Sequence, residues 1–216
     1  MPGYHRRTFI LLVSLPTTMQ STASFENYLL QYAKMQPEAV EHLLKHTQIR
    51  ECAKGEILMH VRQVCRQTFF VESGLLRLFS TDSKGKEHVL QFAPENGLIT
   101  DRSSLFFNEP SGYQIDAITD TRVRVLEESF FGKARELSPV FRRFNEVLLH
   151  NHIRHLQHRI NLLIGADAET RYMDFVQRYP DLMLRVPQWM IASYLGITPE
   201  SLSRVRRDLA EKHFKK

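Results

Sequence analysis

The stretch that decides the fold is PQWMIASYLGITPESLSRVRRDLA, residues 187–210. It reads as two short helices, 187–195 and 199 to about 212, joined by Gly196-Ile197-Thr198. Two helices that cross closely need a small residue at the crossing, and Ala192 supplies it. The turn needs a residue that accepts positive φ, and Gly196 stands there. Ile191, Leu195, Ile197, Leu202, Val205 and Leu209 give both helices an apolar side that locks the crossing. Thr198 as N-cap with Pro199 at the first helical position fixes the start of the second helix. The pattern predicts a helix-turn-helix.

With Leu202, Val205 and Leu209 turned inward, the outward face carries Pro199, Glu200, Ser203, Arg204, Arg206 and Arg207, with Ser201 at its edge. The N-terminal part of such a helix enters the major groove of DNA. Arg204 can donate two hydrogen bonds to guanine O6 and N7, and Glu200 can accept one from cytosine N4. Glu200 also suits the positive end of the helix dipole. Arg206, Arg207 and Lys212 are expected on phosphates, where they set affinity rather than sequence. Gln188 and Thr198, at helix starts, also reach phosphates. An ordinary helical hairpin with an arginine-rich solvated face is the bland alternative.

The charge of the whole chain agrees with the local reading. Of 29 basic and 24 acidic residues, 16 of each lie in 1–137, while 138–216 holds 13 basic and 8 acidic. The net +5 therefore sits in the C-terminal third and points to a polyanion partner for that part alone. A chance imbalance on a solvated surface has the same appearance.

Upstream of the motif the period is helical from Pro139. Phe141, Phe144 and Leu148 begin a stripe. Leu149, Ile153, Leu156, Ile160 and Leu163 continue it at spacings of 4, 3, 4 and 3, which is the seam of a two-stranded coil. A long helix after a closed body has little left to pack on, so a parallel homodimer is expected. Gly165 ends this helix, Asp167 and Ala168 open another that stops at Tyr179-Pro180, and 182–186 reads as a connector. His150, His152, His155 and His158 lie along the long helix. Pairs at i,i+3 have the reach for a metal, but polar flanks or titratable dimer contacts fit equally, and no metal site is expected.

The N-terminal part reads differently. Ser24 caps a helix running to about Met35, and Pro37 starts a second. Short β-type runs follow at 56–61, 68–72, 75–81, 88–92, 113–118 and 122–127. Turn chemistry separates them, as in Glu72-Ser73-Gly74 and Asp82-Ser83-Lys84-Gly85. That spacing predicts a small antiparallel roll filled by aromatics such as Phe69, Phe70, Phe79 and Phe92.

Composition excludes several classes. At 43% hydrophobic and 25% charged, the 216-residue chain is neither a disordered polymer nor a coiled-coil rod. It has no run of 18 uncharged apolar residues, so no spanning helix is expected. Two cysteines, Cys52 and Cys65, form no disulfide framework, and a cytoplasmic protein is expected. His5, Arg6 and Arg7 before the apolar run 9–15 have the superficial look of a signal peptide, but Pro16 interrupts it and no clean cleavage site follows. Residues 1–24 are expected to be a tail outside the fold, with Met1 or Met19 as the start. No Ser/His/Asp grouping, phosphate-cradling glycine loop or metal motif appears, so an enzyme is not expected.

The order of parts over about 25–212 resembles the Crp/Fnr family of bacterial transcription regulators. The specific part is Gln188…Ile191-Ala192…Leu195-Gly196-Ile197-Thr198…Glu200-Ser201-Leu202-Ser203-Arg204, with weaker marks in Lys54-Gly55-Glu56 and in Phe70-Val71-Glu72-Ser73-Gly74-Leu75-Leu76-Arg77. The resemblance implies an α+β protein. It would have an N-terminal antiparallel, jelly-roll-like β-roll with flanking helices, a long dimerisation helix and a C-terminal helix-turn-helix domain. The segments would be 25–137, 138–165 and 166–216. The family usually continues into a β-hairpin wing; here only a few residues, ending Phe214-Lys215-Lys216, follow, so most of the wing is expected to be missing.

The resemblance also implies an effector site near Asp101, Arg102, Ser103, Ser111 and Tyr113. Family members that bind cyclic AMP carry an acid and then an arginine there. Asp101 keeps the acid, but Ser111 stands where the arginine belongs. A serine cannot neutralise a cyclic phosphate as a bidentate arginine does, so no cyclic-nucleotide cofactor is expected unless Arg102 or Arg124 substitutes. The partners expected are double-stranded DNA, a second copy of the chain, RNA polymerase and an unidentified small-molecule effector, with no membrane. The competing function is a ligand-sensing or protein-interaction module that has lost DNA binding.

Overall fold

A computed structural model describes residues 24–214. These fall into two compact units, 24–147 and 148–214, so the boundary lies inside the long helix rather than at either of its ends. The expected tail 1–24 lies outside the described residues except for Ser24, as do Lys215 and Lys216.

In the first unit, α1 (Phe25–Gln31) starts where Ser24 Oγ accepts from the Asn27 N–H at 3.1 Å, and α2 (Pro37–Leu44) starts on its proline. Eight strands follow: β1 (Gln48–Cys52), β2 (Ile57–Met59), β3 (Gln67–Ser73), β4 (Leu76–Thr81), β5 (Glu87–Ala93), β6 (Leu98–Ile99), β7 (Gln114–Ala117) and β8 (Thr121–Glu127). They form two four-stranded sheets, ordered β1-β8-β3-β6 and β2-β7-β4-β5, with antiparallel pairing throughout. The roll is therefore as expected, with two strands more than the sequence suggested. The chain reverses between β3 and β4 at Gly74, whose φ is +95°, and a Cβ there would collide with the Asp120 carbonyl and the Thr121 hydroxyl. Only glycine fits that turn.

Side chains alternate across each strand, and this corrects the expected filling of the roll. Phe69, Val71, Leu76, Leu78, Ile115 and Val123 meet between the sheets. Phe70, next to Phe69, points the other way. It joins Phe25 and Tyr28 at 4.9 Å from each, and Phe25 in turn meets Phe130 of α4 (Glu128–Leu137) at 5.5 Å. Phe79 shares the outer face of its sheet with Arg77, whose guanidinium lies 4.0 Å from the ring centre, and Phe92 pairs with Arg77 across the strands. Buried Arg77 holds both Asp116 oxygens, at 2.8 and 2.9 Å, and Glu87 at 2.6 Å. Glu72 is likewise buried and accepts from the Phe25 N–H, from Arg122 and from Arg124, which ties α1 to β3 and β8. Removing one partner of such a buried network costs about 3–5 kcal/mol because the other charge is left desolvated.

The long helix α5 (Pro139–Gly165) has its first turns in the first unit, where Phe141 and Phe144 are buried. Its remainder belongs to the second unit. There α6 (Ala168–Arg178) is capped by Asp167, which accepts from the Thr170 N–H at 2.8 Å. Residues 182–186, expected as a connector, contain a one-turn helix, α7 (Leu182–Arg185), followed by α8 (Gln188–Leu195) and α9 (Pro199–Phe214). Phe175, Tyr179, Leu182, Ile191, Ala192, Tyr194, Leu195 and Leu202 are buried as this unit's core, with Tyr194 and Tyr179 rings each within 5.4 Å of Phe175.

Candidate nucleic-acid interface

The turn between α8 and α9 is built as the sequence demanded. Gly196 lies in the left-handed region at φ +66°. Its N–H bonds the Ser193 carbonyl, and the Ile197 N–H reaches back to the Ala192 carbonyl at 3.0 Å, a Schellman-type closure. A Cβ on Gly196 would sit 3.0 Å from the Leu163 side chain, so the turn is seated against the end of α5. Ala192 is fully buried at the crossing, and Leu202 is fully buried from α9. Val205 and Leu209, also expected inward, are half-buried.

Thr198 caps α9: its hydroxyl accepts from the Ser201 N–H at 3.2 Å. The Glu200 carboxyl is held below its usual range by its own backbone N–H and by the Thr198 hydroxyl. It therefore presents a carboxylate at the start of the helix.

The expected DNA-facing residues are nearly all exposed. Gln188, Thr198, Pro199, Glu200, Ser203, Arg204, Arg206, Arg207 and Lys212 are exposed, and Ser201 is half-buried behind its cap bond. Lys212 stands apart, because its ammonium holds both oxygens of Glu169 at 2.8–2.9 Å. That pair is exposed and weak, so a phosphate can displace it.

Two arginines missing from the sequence reading hold the motif from behind. Arg159 of α5 donates to the Tyr194 carbonyl, and Arg171 of α6 donates to the Leu195 carbonyl at 2.8 Å. Both cap the last turn of α8, where carbonyls lack helical partners and the dipole favours cations. Beside them His158 meets Asp174 at 2.8 Å. His155 is half-buried next to Arg178, His152 and Arg159; burial first, then those cations, push its pKa down to about 4, against an opposing pull from Asp174. No local pattern signals these contacts, which join positions 16 to 35 residues apart.

The expected seam is uncovered in the protomer. Ile153, Leu156, Ile160 and Leu163 are exposed, and Leu149 is half-buried. Among the described residues, no group of three or more His, Cys, Asp or Glu side chains is placed to hold a metal.

The residues expected at an effector site come together, but Asp101 and Ser111 bond to each other. Asp101 is the N-cap of α3 (Arg102–Phe107), accepting from the Ser103 and Ser104 N–H groups at 3.1 and 3.2 Å. Its second oxygen accepts from the Ser111 hydroxyl at 2.7 Å, and Ser111 Oγ also accepts from the Tyr113 N–H at 3.0 Å. Asp101 and Ser111 are both buried. Arg102 is exposed, and Arg124 is committed to Glu72 on β3. Ser111 is uncharged and its hydroxyl is spent on Asp101, so this pair offers a cyclic phosphate no bidentate cation.

The parts define a class: a β-roll domain followed along the chain by a long helix and a helix-turn-helix. Residues 49–136 match the cyclic nucleotide-binding domain family. The chain is 26% identical over 180 residues to the cyclic AMP receptor protein of Thermus thermophilus, covering 81% of this chain and 82% of that one. FixK2 from Bradyrhizobium japonicum shares the fold with a TM-score of 0.66 at 21% identity, over 77% of this chain and 86% of that one. CooA from Carboxydothermus hydrogenoformans, solved as a variant, does so at 0.65 and 22%, over 79% of each chain. The catabolite activator protein of Thermus thermophilus follows at 0.52 and 24%, over 86% and 87%. Over about four-fifths of its length the chain is thus similar to a cyclic AMP receptor protein, and residues 49–136 match the cyclic nucleotide-binding domain. Among the described residues, no helix is long and apolar enough to cross a membrane.

Proposed function

We propose that the chain is a homodimeric, sequence-specific DNA-binding regulator whose roll does not use a cyclic nucleotide. The observation that carries this is the exposed face of α9, where Ser203, Arg204, Arg206 and Arg207 are open to solvent while Leu202 anchors the helix from beneath. Arg204 and Glu200, in the first turns, read base edges; Arg206 and Arg207 hold phosphates. The uncovered Ile153–Ile160 stripe supports pairing of two long helices, which would present two reading helices about one DNA turn, roughly 34 Å, apart. Double-stranded DNA and a second copy are the partners of this reading, with RNA polymerase as the machinery such a regulator addresses.

Selection from a randomised duplex pool tests it. A pseudo-palindrome with half-sites one helical turn apart is the expected product. A pool that enriches no sequence would leave the chain as a sensing or interaction module without DNA binding.

A further inference from the structure

Outside the reading motif, the surface feature that the proposed function leaves unused is on α3. Phe106 and Phe107 are 79% and 65% exposed, with ring centroids 5.1 Å apart and planes at 85°. Two neighbouring phenylalanines in water are unfavourable in a lone protomer. Their mount is firm. Asp101 caps the helix, the Ser104 hydroxyl accepts from the Cys65 N–H at 2.8 Å and donates to the Glu109 carbonyl at 2.6 Å, and Asn108 closes it at φ +55°.

The same mount brings up a second segment, 60–66. The Arg62 N–H bonds the Ser111 carbonyl and the Ser111 N–H bonds the Gln63 carbonyl, both at 2.8 Å, while Val64 bridges Pro110. Arg62 and Arg66 are exposed there with Val61. Arg102 lies four residues before Phe106, on the same helical face. Segments 60–66 and 102–110 together hold three arginines, one acid (Glu109) and no lysine.

We propose that this surface docks an acidic segment of a partner protein that carries an aliphatic or aromatic anchor. Rigidly held aromatics beside arginine are the composition of protein-binding hot spots, where lysine is depleted. The excess of arginine selects acidic flanks on the partner. The absence of lysine and the fixed ring geometry favour a shaped protein ligand over a lipid surface. The inference is independent of DNA reading.

The test uses the full chain and a displayed library of random peptides, with counter-selection on the double variant Phe106→Ser/Phe107→Ser. Enriched peptides should combine Asp or Glu with Leu, Phe or Trp. A synthesised winner, followed by anisotropy, should lose roughly tenfold or more in affinity to the double variant and to Arg102→Glu. The double variant should keep the wild-type melting temperature and oligomeric state. No enrichment, or enrichment of basic peptides, would overturn the proposal. So would a changed oligomeric state, or binding to phosphatidylserine vesicles that the double variant abolishes.

Discussion

Arg159 donates a 2.9 Å hydrogen bond to the Tyr194 carbonyl and sets its guanidinium 4.2 Å from the centre of the same residue's ring. One side chain thus caps the first helix of the reading motif and packs on it. A hydrogen bond from a charged donor is worth about 1.5–3 kcal/mol and a cation–π contact about 0.5–1 kcal/mol. Arg159→Ala should lower stability by roughly 2–3 kcal/mol and weaken DNA binding without changing the preferred sequence. Arg159→Lys keeps the charge but not the planar fork, and should recover only part of the loss. Thermal melting and anisotropy on a selected duplex measure both effects; unchanged values in Arg159→Ala would remove Arg159 from the account.

His155 supplies the pH dependence. Its folded-state pKa is about 4, against the ordinary 6.5, so the unfolded chain binds its proton more readily. The stabilising difference is fully present above about pH 6.5 and is lost as pH falls toward 4, by at most about 3 kcal/mol. Denaturant melts of wild type and His155→Gln between pH 7 and 4 should show a shallower decline in the variant. Parallel curves would contradict the burial of a neutral imidazole.

Arg204 and Arg207 separate sequence from affinity. Arg204→Ala should cost about 1–3 kcal/mol per half-site and relax the base choice at one position. Arg207→Ala should weaken all duplexes alike and reduce the salt slope by about one. An Arg204 variant that loses affinity evenly over all sequences would take base reading away from it.

Ile153 and Leu156 test the pairing. Either residue changed to Asp places a charge on an apolar stripe that is half exposed in the protomer. Gel filtration should show monomers for both; a dimer that survives both substitutions would move the interface elsewhere.

Much of the helix-turn-helix was legible because its determinants are local. The Thr198 cap, the positive-φ Gly196 and the buried Ala192 sit within seven residues of one another. The roll was legible from its turns, yet β1 and β6 were not. β1 is QIREC with a single buried residue, Cys52, and β6 is two residues long. Neither offers the alternation that marks a strand. The helices α3 and α4 escaped notice because their burial is so sparse: Ser104 alone in α3, Phe130 and Ala134 in α4. Adjacent Phe69 and Phe70 were assigned to one interior although the pleat must send them to opposite faces. Of the residues expected at an effector site, the family resemblance implied that Ser111 stands where an arginine belongs; that its hydroxyl closes on Asp101 is a tertiary fact across ten residues.

The most direct measurement is a salt titration of the full chain on a fluorescent duplex, with Arg204→Ala/Arg207→Ala alongside. A DNA-reading α9 predicts a log–log fall in affinity of about 0.9 per neutralised phosphate, with a visibly smaller slope in the variant. A wild-type slope near zero, or one that the double substitution leaves untouched, would contradict the account.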